Sequence, residues 1–88
     1  MVTAETLPIP SRDVVTRAEA GGVLLFQIRT DEMFFATPSA FALFSLCDGT
    51  RTVGEIEREV GARQPDDQRR VECLLAILAE RSLLELWS

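Results

Sequence analysis

The sequence contains no histidine and no lysine, and only two cysteines and one tryptophan among its 88 residues. Without histidine, the chain lacks the commonest general base, the commonest metal ligand and the side chain that titrates nearest neutral pH. A nucleophile would have to rely on a carboxylate, because arginine does not lose its proton in proteins. We therefore expect no catalytic residue, no metal site and no cofactor.

The two cysteines, Cys47 and Cys73, each lie within an apolar run. Two thiols fill at most half of a zinc shell, and no histidine is available to complete it. The favoured interpretation is a pair of reduced thiols buried as small hydrophobic side chains. A disulfide or redox pair is the alternative.

Positive charge is also in short supply, since 14 acidic residues face 9 arginines and the net charge is −5 at pH 7. A nucleic-acid-binding surface needs several cations that neutralise phosphates, and this chain has no surplus. No apolar run is long enough for a membrane span, and the first ten residues lack the pattern of a secretory signal. We expect no nucleic-acid partner, no membrane contact and a cytoplasmic location.

A hydrophobic share of 47 % is sufficient for one compact core. Residues 1–12 carry two prolines and no periodicity, which indicates an extended arm, either laid on the domain or loose. We expect regular structure to begin at Asp13, so the predicted organisation is an arm at 1–12 and one domain at 13–88.

Three strands are predicted next, at residues 13–20, 23–29 and 32–36. Gly21-Gly22 and Thr30-Asp31 supply the turns between them, which makes the sheet an antiparallel meander. Phe34 and Phe35 are adjacent in the third strand and should face opposite sides of the sheet, one in the core and one outward.

Three helices follow. The first begins at Thr37-Pro38, ends at Asp48-Gly49 and is apolar nearly all round, so it should be the most buried element. The second begins at the Thr52–Glu55 capping box and runs to about Arg63, and the third covers about 67–81. Their predicted core stripes are Val53, Ile56 and Val60 in the second helix, and Val71, Leu74, Leu75 and Leu78 in the third. Residues 83–87 should form a short strand or a helical tail, and the class is α+β.

The third strand and the third helix together predict a binding groove. A last strand can leave one edge unpaired, and an extended peptide can add to such an edge through backbone hydrogen bonds. Beside it should lie a helix flank with Cys73 and Ile77 in the middle and Arg70 and Arg81 at the margins. Such a groove suits a peptide with apolar and acidic residues.

Two segments resemble a known family, namely Leu24-Leu25-Phe26 after the Gly-Gly turn and the run from Leu46 to Ile56, LCDGTRTVGEI. They are similar to the PqqD family of small peptide chaperones and recognition elements. The resemblance implies a winged-helix-like arrangement, with a three-stranded antiparallel sheet followed by three helices. The chain departs from the family at Ala36-Thr37, at Phe44 and at residues 81–84.

The resemblance further implies that the leader of a ribosomally made precursor peptide adds to the third strand and lies against the third helix. The protein would present it to a modifying enzyme, such as a radical S-adenosylmethionine enzyme or, in lasso peptide pathways, a leader protease. The peptide-binding residues implied in this way are Glu32, Met33, Phe34, Phe35 and Ala36 on the strand and Arg70, Cys73, Leu74 and Ile77 on the helix.

Two alternatives remain open at this point. A winged-helix nucleic-acid binder would read its target with the third helix; Arg63, Arg69 and Arg70 favour it, while the net charge opposes it. An oligomerisation unit would instead form a homodimer, either weak or strand-swapped, through the same strand edge.

Overall fold

A computed structural model describes residues 2–87 of the chain. The predicted class is confirmed: the fold is α+β, with a three-stranded antiparallel sheet followed by three helices. A fourth and a fifth strand, at the two ends of the chain, form a separate two-stranded sheet. The elements are β1 (Leu7–Pro10), β2 (Val14–Glu19), β3 (Gly22–Gln27), β4 (Glu32–Ala36), α1 (Pro38–Leu46), α2 (Val53–Glu59), α3 (Pro65–Glu80) and β5 (Leu84–Trp87).

The three-stranded sheet has the order β2-β3-β4, so β2 and β4 are its edges. Strand β4 has the predicted bounds, whereas β3 ends at Gln27, two residues earlier than expected. It ends there because the amide of Asp31 donates to the carbonyl of Gln27 and closes the turn. Asp31 has a φ of 59°, a left-handed conformation that aspartate tolerates better than most residues.

Regular structure begins at Leu7, which corrects the expectation of Asp13. Strand β1 pairs antiparallel with β5, from Leu7 opposite Trp87 to Pro10 opposite Leu84. The carbonyl of Pro8 accepts from the amide of Gly49, so Pro8 and Pro10 occupy positions that face away from β5 and need no N–H for the ladder. The N-terminal segment is therefore laid on the domain, which was one of the two alternatives, and is not loose.

The N-terminal segment also completes the start of α2. The amides of Val53 and Gly54 donate to the carbonyls of Thr6 and Ala4, at 2.8 and 2.9 Å. These amides belong to the first turn of a helix and have no partner within it. The division of the chain into an arm at 1–12 and a peptide-binding domain at 13–88 stays a prediction. Met1 and Ser88 lie outside the described residues.

The core contradicts three expectations about burial. In α1 only Leu43 and Phe44 are buried, so this helix is not the most buried element. Val60 is 44 % exposed, because α2 ends at Glu59 and the chain turns at Gly61, where φ is 75°. Leu74 is only half-buried, while the rest of the third helix's predicted stripe is buried. Leu25, Ile56, Leu75, Leu78 and Leu83 are the fully buried aliphatic centre.

The polar side chain of Gln27 is fully buried and joins three parts of the chain. Its amide nitrogen donates to the carbonyls of Arg12 and Ser82, at 3.0 and 2.8 Å. Its oxygen accepts from the amide of Arg29 at 3.2 Å. The arm, the end of β3 and the end of α3 are therefore fixed to one another by a single carboxamide.

A buried carboxylate, Glu57 of α2, is poorly satisfied. One of its oxygens is buried without a hydrogen-bond partner. Burial raises the pKa of the Glu57 carboxyl, and the carboxylate of Glu72 on α3 raises it further. The folded state therefore favours the protonated form, and ionised Glu57 opposes folding at neutral pH.

We expect Gln27→Leu to lower the free energy of unfolding by about 2–4 kcal/mol, because it removes a fully buried donor and leaves the carbonyls of Arg12 and Ser82 without their partner. Urea denaturation measures the change. Gln64→Leu is the matched control, since Gln64 is exposed and its side chain makes no capping bond. Equal losses in the two variants would contradict the role given to Gln27.

We expect Glu57→Gln to raise the free energy of unfolding at pH 7 by about 1 kcal/mol, since it removes a buried charge. Because the folded pKa is raised, the gain should shrink as the pH falls through that pKa and disappear below the ordinary glutamate pKa, where both states are protonated. Thermal melts at several pH values test this. Glu59→Gln, at an exposed position of the same helix, is the matched control and should leave the free energy of unfolding at pH 7 nearly unchanged.

Candidate functional site

Strand β4 has one free edge, and its hydrogen-bonding groups can be assigned. A Cβ added at Gly22 would collide with the Ala36 carbonyl oxygen, so that carbonyl faces β3. The Met33 carbonyl faces the opposite way, because the Arg81 guanidinium reaches it at 2.7 Å. Since successive residues of an antiparallel strand alternate, Met33 and Phe35 direct their N–H and C=O groups away from β3.

The side chains of β4 alternate between the core and the outside. Phe34 packs against the core, and Ala36 is buried. Met33 and Phe35 lie on the outer face and are 51 % and 48 % exposed. The expectation that the two phenylalanines face opposite sides is confirmed, and Phe35 is the outward one.

Four of the predicted helix residues lie together on one face of α3. They border an open surface cavity of about 420 Å³ with an apolar floor. Ile77 is 41 % exposed there and lies next to the half-buried Leu74, so the two form one apolar patch. The lining residues are Asp66, Arg69, Arg70, Cys73, Leu74 and Ile77.

No β4 residue lines that cavity, so the strand and the helix face are two separate surfaces that meet at the C-terminal end of α3. A second apolar cavity of about 260 Å³ adjoins the first and shares Arg70 and Leu74 with it. Its other wall belongs to α1, where Ala40 and Leu43 line it. This wall was not predicted from the sequence. The signal for it is the composition of α1, because a helix that is apolar on nearly every side exposes apolar side chains wherever no other element covers it.

The positive charges around the helix face differ in their partners. Arg69 pairs with Asp66 at 3.4 Å and Arg70 with Asp67 at 3.8 Å, and both pairs are exposed. Such pairs are weak and open readily to a competing ligand. Arg81 has no carboxylate partner within residues 2–87, and its guanidinium lies 5.8 Å from the centre of the Phe34 ring.

The two cysteines differ, which corrects the expectation that both are buried. Cys47 is fully buried, and burial raises the pKa of its thiol to about 12, with a further contribution from the Asp48 carboxylate. Cys73 is exposed on the α3 face. Both are free thiols, so the disulfide alternative is not realised.

Other kinds of site are not formed by residues 2–87. No three metal-ligating side chains come together in this range. None of the helices in it is long and apolar enough to cross a membrane. An open cavity of about 470 Å³ on α2 is lined only by charged side chains, namely Arg51, Glu55, Arg58 and Glu59, and so has no apolar floor.

The motif between Leu46 and Ile56 forms a corner rather than part of this surface. Asp48 accepts hydrogen bonds from Thr50 and Arg51, and Gly49 has a φ of 86°. Thr52 and Glu55 form the predicted capping box. The corner holds the N-terminal segment and fixes the direction of α2.

No family model matches the chain, and no curated protein does. Among solved structures, "TbiB1 in Complex with the TbiA(beta) Leader Peptide" is similar to it, with a TM-score of 0.73 and 25 % sequence identity. The similarity covers 88 % of this chain and 94 % of the other, so it extends over nearly the whole fold of both. TbiB1 in that structure is bound to a leader peptide.

We expect a thiol reagent at pH 8 to label one cysteine rapidly, and that cysteine to be Cys73. Cys47 should stay unlabelled because it is buried and its pKa is about 12. Mass spectrometry of the intact protein and of its fragments measures the labelling. In urea both thiols should react, and rapid labelling of Cys47 in the folded protein would contradict the assignment.

Proposed function

We propose that this protein is a non-catalytic module that binds the leader of a ribosomally synthesised precursor peptide and presents it to a modifying enzyme. The observation that carries the proposal is the free edge of β4 and the apolar face of α3, which meet where Arg81 contacts Met33, in a fold similar to that of a leader-bound protein. The resemblance to the PqqD family agrees with it. A radical S-adenosylmethionine enzyme and a leader protease are the two candidates for the modifying enzyme.

The proposed binding mode follows from the two surfaces. The backbone of an extended peptide pairs with the outward N–H of Met33 and with the outward N–H and C=O of Phe35. Alternate side chains of the added strand then point toward α3, where Leu74 and Ile77 supply the apolar floor. Cys73 and Arg70 border that floor, so the ligand class is a peptide with apolar residues between acidic ones.

A presenting role suits the chemistry of these surfaces better than a catalytic one. The exposed thiol of Cys73 has no histidine to activate it, because the chain contains none. Backbone pairing instead holds a peptide without altering it. The chemistry is therefore left to the partner enzyme.

A nucleic-acid-binding function is supported less well. Asp66 and Asp67 lie beside Arg69 and Arg70 on α3, so these four residues offer phosphates no surplus of positive charge. A mobility-shift assay at low salt tests this alternative, because a phosphate-driven binder retards nucleic acid most strongly there.

A homodimer is the second competitor, because a second copy could pair with the same edge of β4. It would occupy the groups that the leader needs. Sedimentation with and without the peptide distinguishes the two, since leader binding at β4 should dissociate such a dimer.

The test of the proposal is an amide chemical-shift titration of isotope-labelled protein with the leader of the precursor encoded beside it. Shifts concentrated at residues 32–36 and 70–77 are expected. A folded spectrum that does not change would contradict leader binding, and shifts confined to the α2 surface would contradict the site.

Ile77→Asp should weaken leader binding at least tenfold, because it places a charge on the apolar floor. Arg70→Glu should weaken it severalfold through repulsion of acidic residues. Calorimetry measures the affinity, and thermal melts should be nearly unchanged because both side chains are exposed.

Matched controls lie elsewhere on the surface. Val15→Asp places the same charge on β2, at the opposite edge of the sheet, and Arg58→Glu reverses a charge on α2. Both should bind the leader as the parent protein does. Equal losses in these variants and in the Ile77 and Arg70 variants would contradict the site.

A further inference from the structure

One contact connects the two surfaces of the candidate site. Arg81, which follows the last turn of α3, donates a hydrogen bond of 2.7 Å to the Met33 carbonyl on the free edge of β4. Its guanidinium also lies over the Phe34 ring. One of the four outward backbone groups of the edge is therefore occupied by a side chain of the same chain.

The position of Arg81 is fixed by the end of α3. The amide of Ser82 donates to Ala79 and that of Leu83 to Leu78, which closes the helix with a Schellman motif. Ser82 has a φ of 61°, and its carbonyl accepts from the buried Gln27. Arg81 thus projects from a rigid corner.

An incoming peptide strand does not gain by displacing this contact, because its own amide would replace a charged donor with a neutral one. A charge-assisted hydrogen bond is roughly twice as strong as a neutral one. The Met33 N–H and both outward groups of Phe35 are still directed at the ligand. The backbone ladder with the peptide therefore ends at Arg81.

The guanidinium has capacity left for the ligand. An arginine carries five N–H donors, and one of them is on Met33. Within residues 2–87 no carboxylate neutralises Arg81, in contrast to Arg69 and Arg70 on the same helix. The ligand group that complements the Arg81 guanidinium is a carboxylate, because the planar guanidinium can donate two parallel hydrogen bonds to the two carboxylate oxygens.

We propose that Arg81 determines the register of the bound peptide by binding the carboxylate of an aspartate or glutamate side chain at the Met33 end of β4. This inference rests on the proposed function and adds to it a named specificity residue. The apolar floor accepts several registers, because Leu74 and Ile77 are nondirectional contacts. The Arg81 carboxylate contact selects one of them.

The experiment is a double-mutant cycle between the protein and the leader. Synthetic leader peptides have each Asp or Glu replaced in turn by Asn or Gln, and calorimetry measures their Kd with the parent protein and with Arg81→Gln. One peptide position should lose affinity tenfold or more with the parent protein and less than twofold with Arg81→Gln. Arg58→Gln is the control, since Arg58 also lies in the last turn of a helix and should preserve the parent's preference.

Arg81→Lys provides a second variant with the charge but without the planar fork, and it should retain part of the preference. Equal losses for the parent protein and Arg81→Gln at every position would overturn the role of Arg81 while leaving leader binding intact. Tighter binding of all peptides by Arg81→Gln would also overturn it, because Arg81 would then compete with the ligand. If the parent protein does not bind the leader, the proposed function fails together with this inference.

Discussion

The carboxamide of Gln27 is the interaction on which the arrangement of this fold depends. Hydrophobic contacts pull the sheet and the helices together, but they do not fix which loop meets which helix end. Gln27 does so, because its bonds to Arg12, Ser82 and Arg29 are directional and its own side chain is fully buried. A carboxamide with three partners selects one arrangement of the segments that surround it.

The relative position of the two candidate surfaces, the β4 edge and the α3 face, depends on Gln27. Gln27 fixes the carbonyl of Ser82, which fixes the end of α3, and Arg81 then reaches β4 from that end. The strand edge and the helix face are separate surfaces that share this single corner. A polar core residue therefore helps to position both candidate surfaces without being part of either.

Local sequence signals predicted the parts of the site that short-range physics controls. Strand β4 has its expected bounds because alternation and a turn define it, and the α2 capping box forms as its residues require. The four helix residues share one face because helical spacing places them there. Their roles in binding stay predictions.

Long-range contacts could not be predicted in the same way. Strand β1 was not predicted from the sequence, because Pro8 and Pro10 are unfavourable in most strands. The segment forms a strand because it pairs with β5 on one side and accepts a hydrogen bond from Gly49 of the α1–α2 corner on the other. The contact of Arg81 with Met33 joins residues far apart in the chain, and no local pattern encodes it. Apolar periodicity predicted which side chains could be buried, whereas Val60 and Cys73 show that burial also needs a neighbouring element to cover them.

The pairing of β1 with β5 places the two ends of the fold side by side, with Leu7 opposite Trp87. A polypeptide that enters at one of these residues leaves at the other only a strand spacing away. The module could therefore interrupt a surface loop of a host enzyme, or be tethered to one from either end, without opening its own core. If the proposed function holds, such tethering keeps the bound leader at high effective concentration near the modifying enzyme.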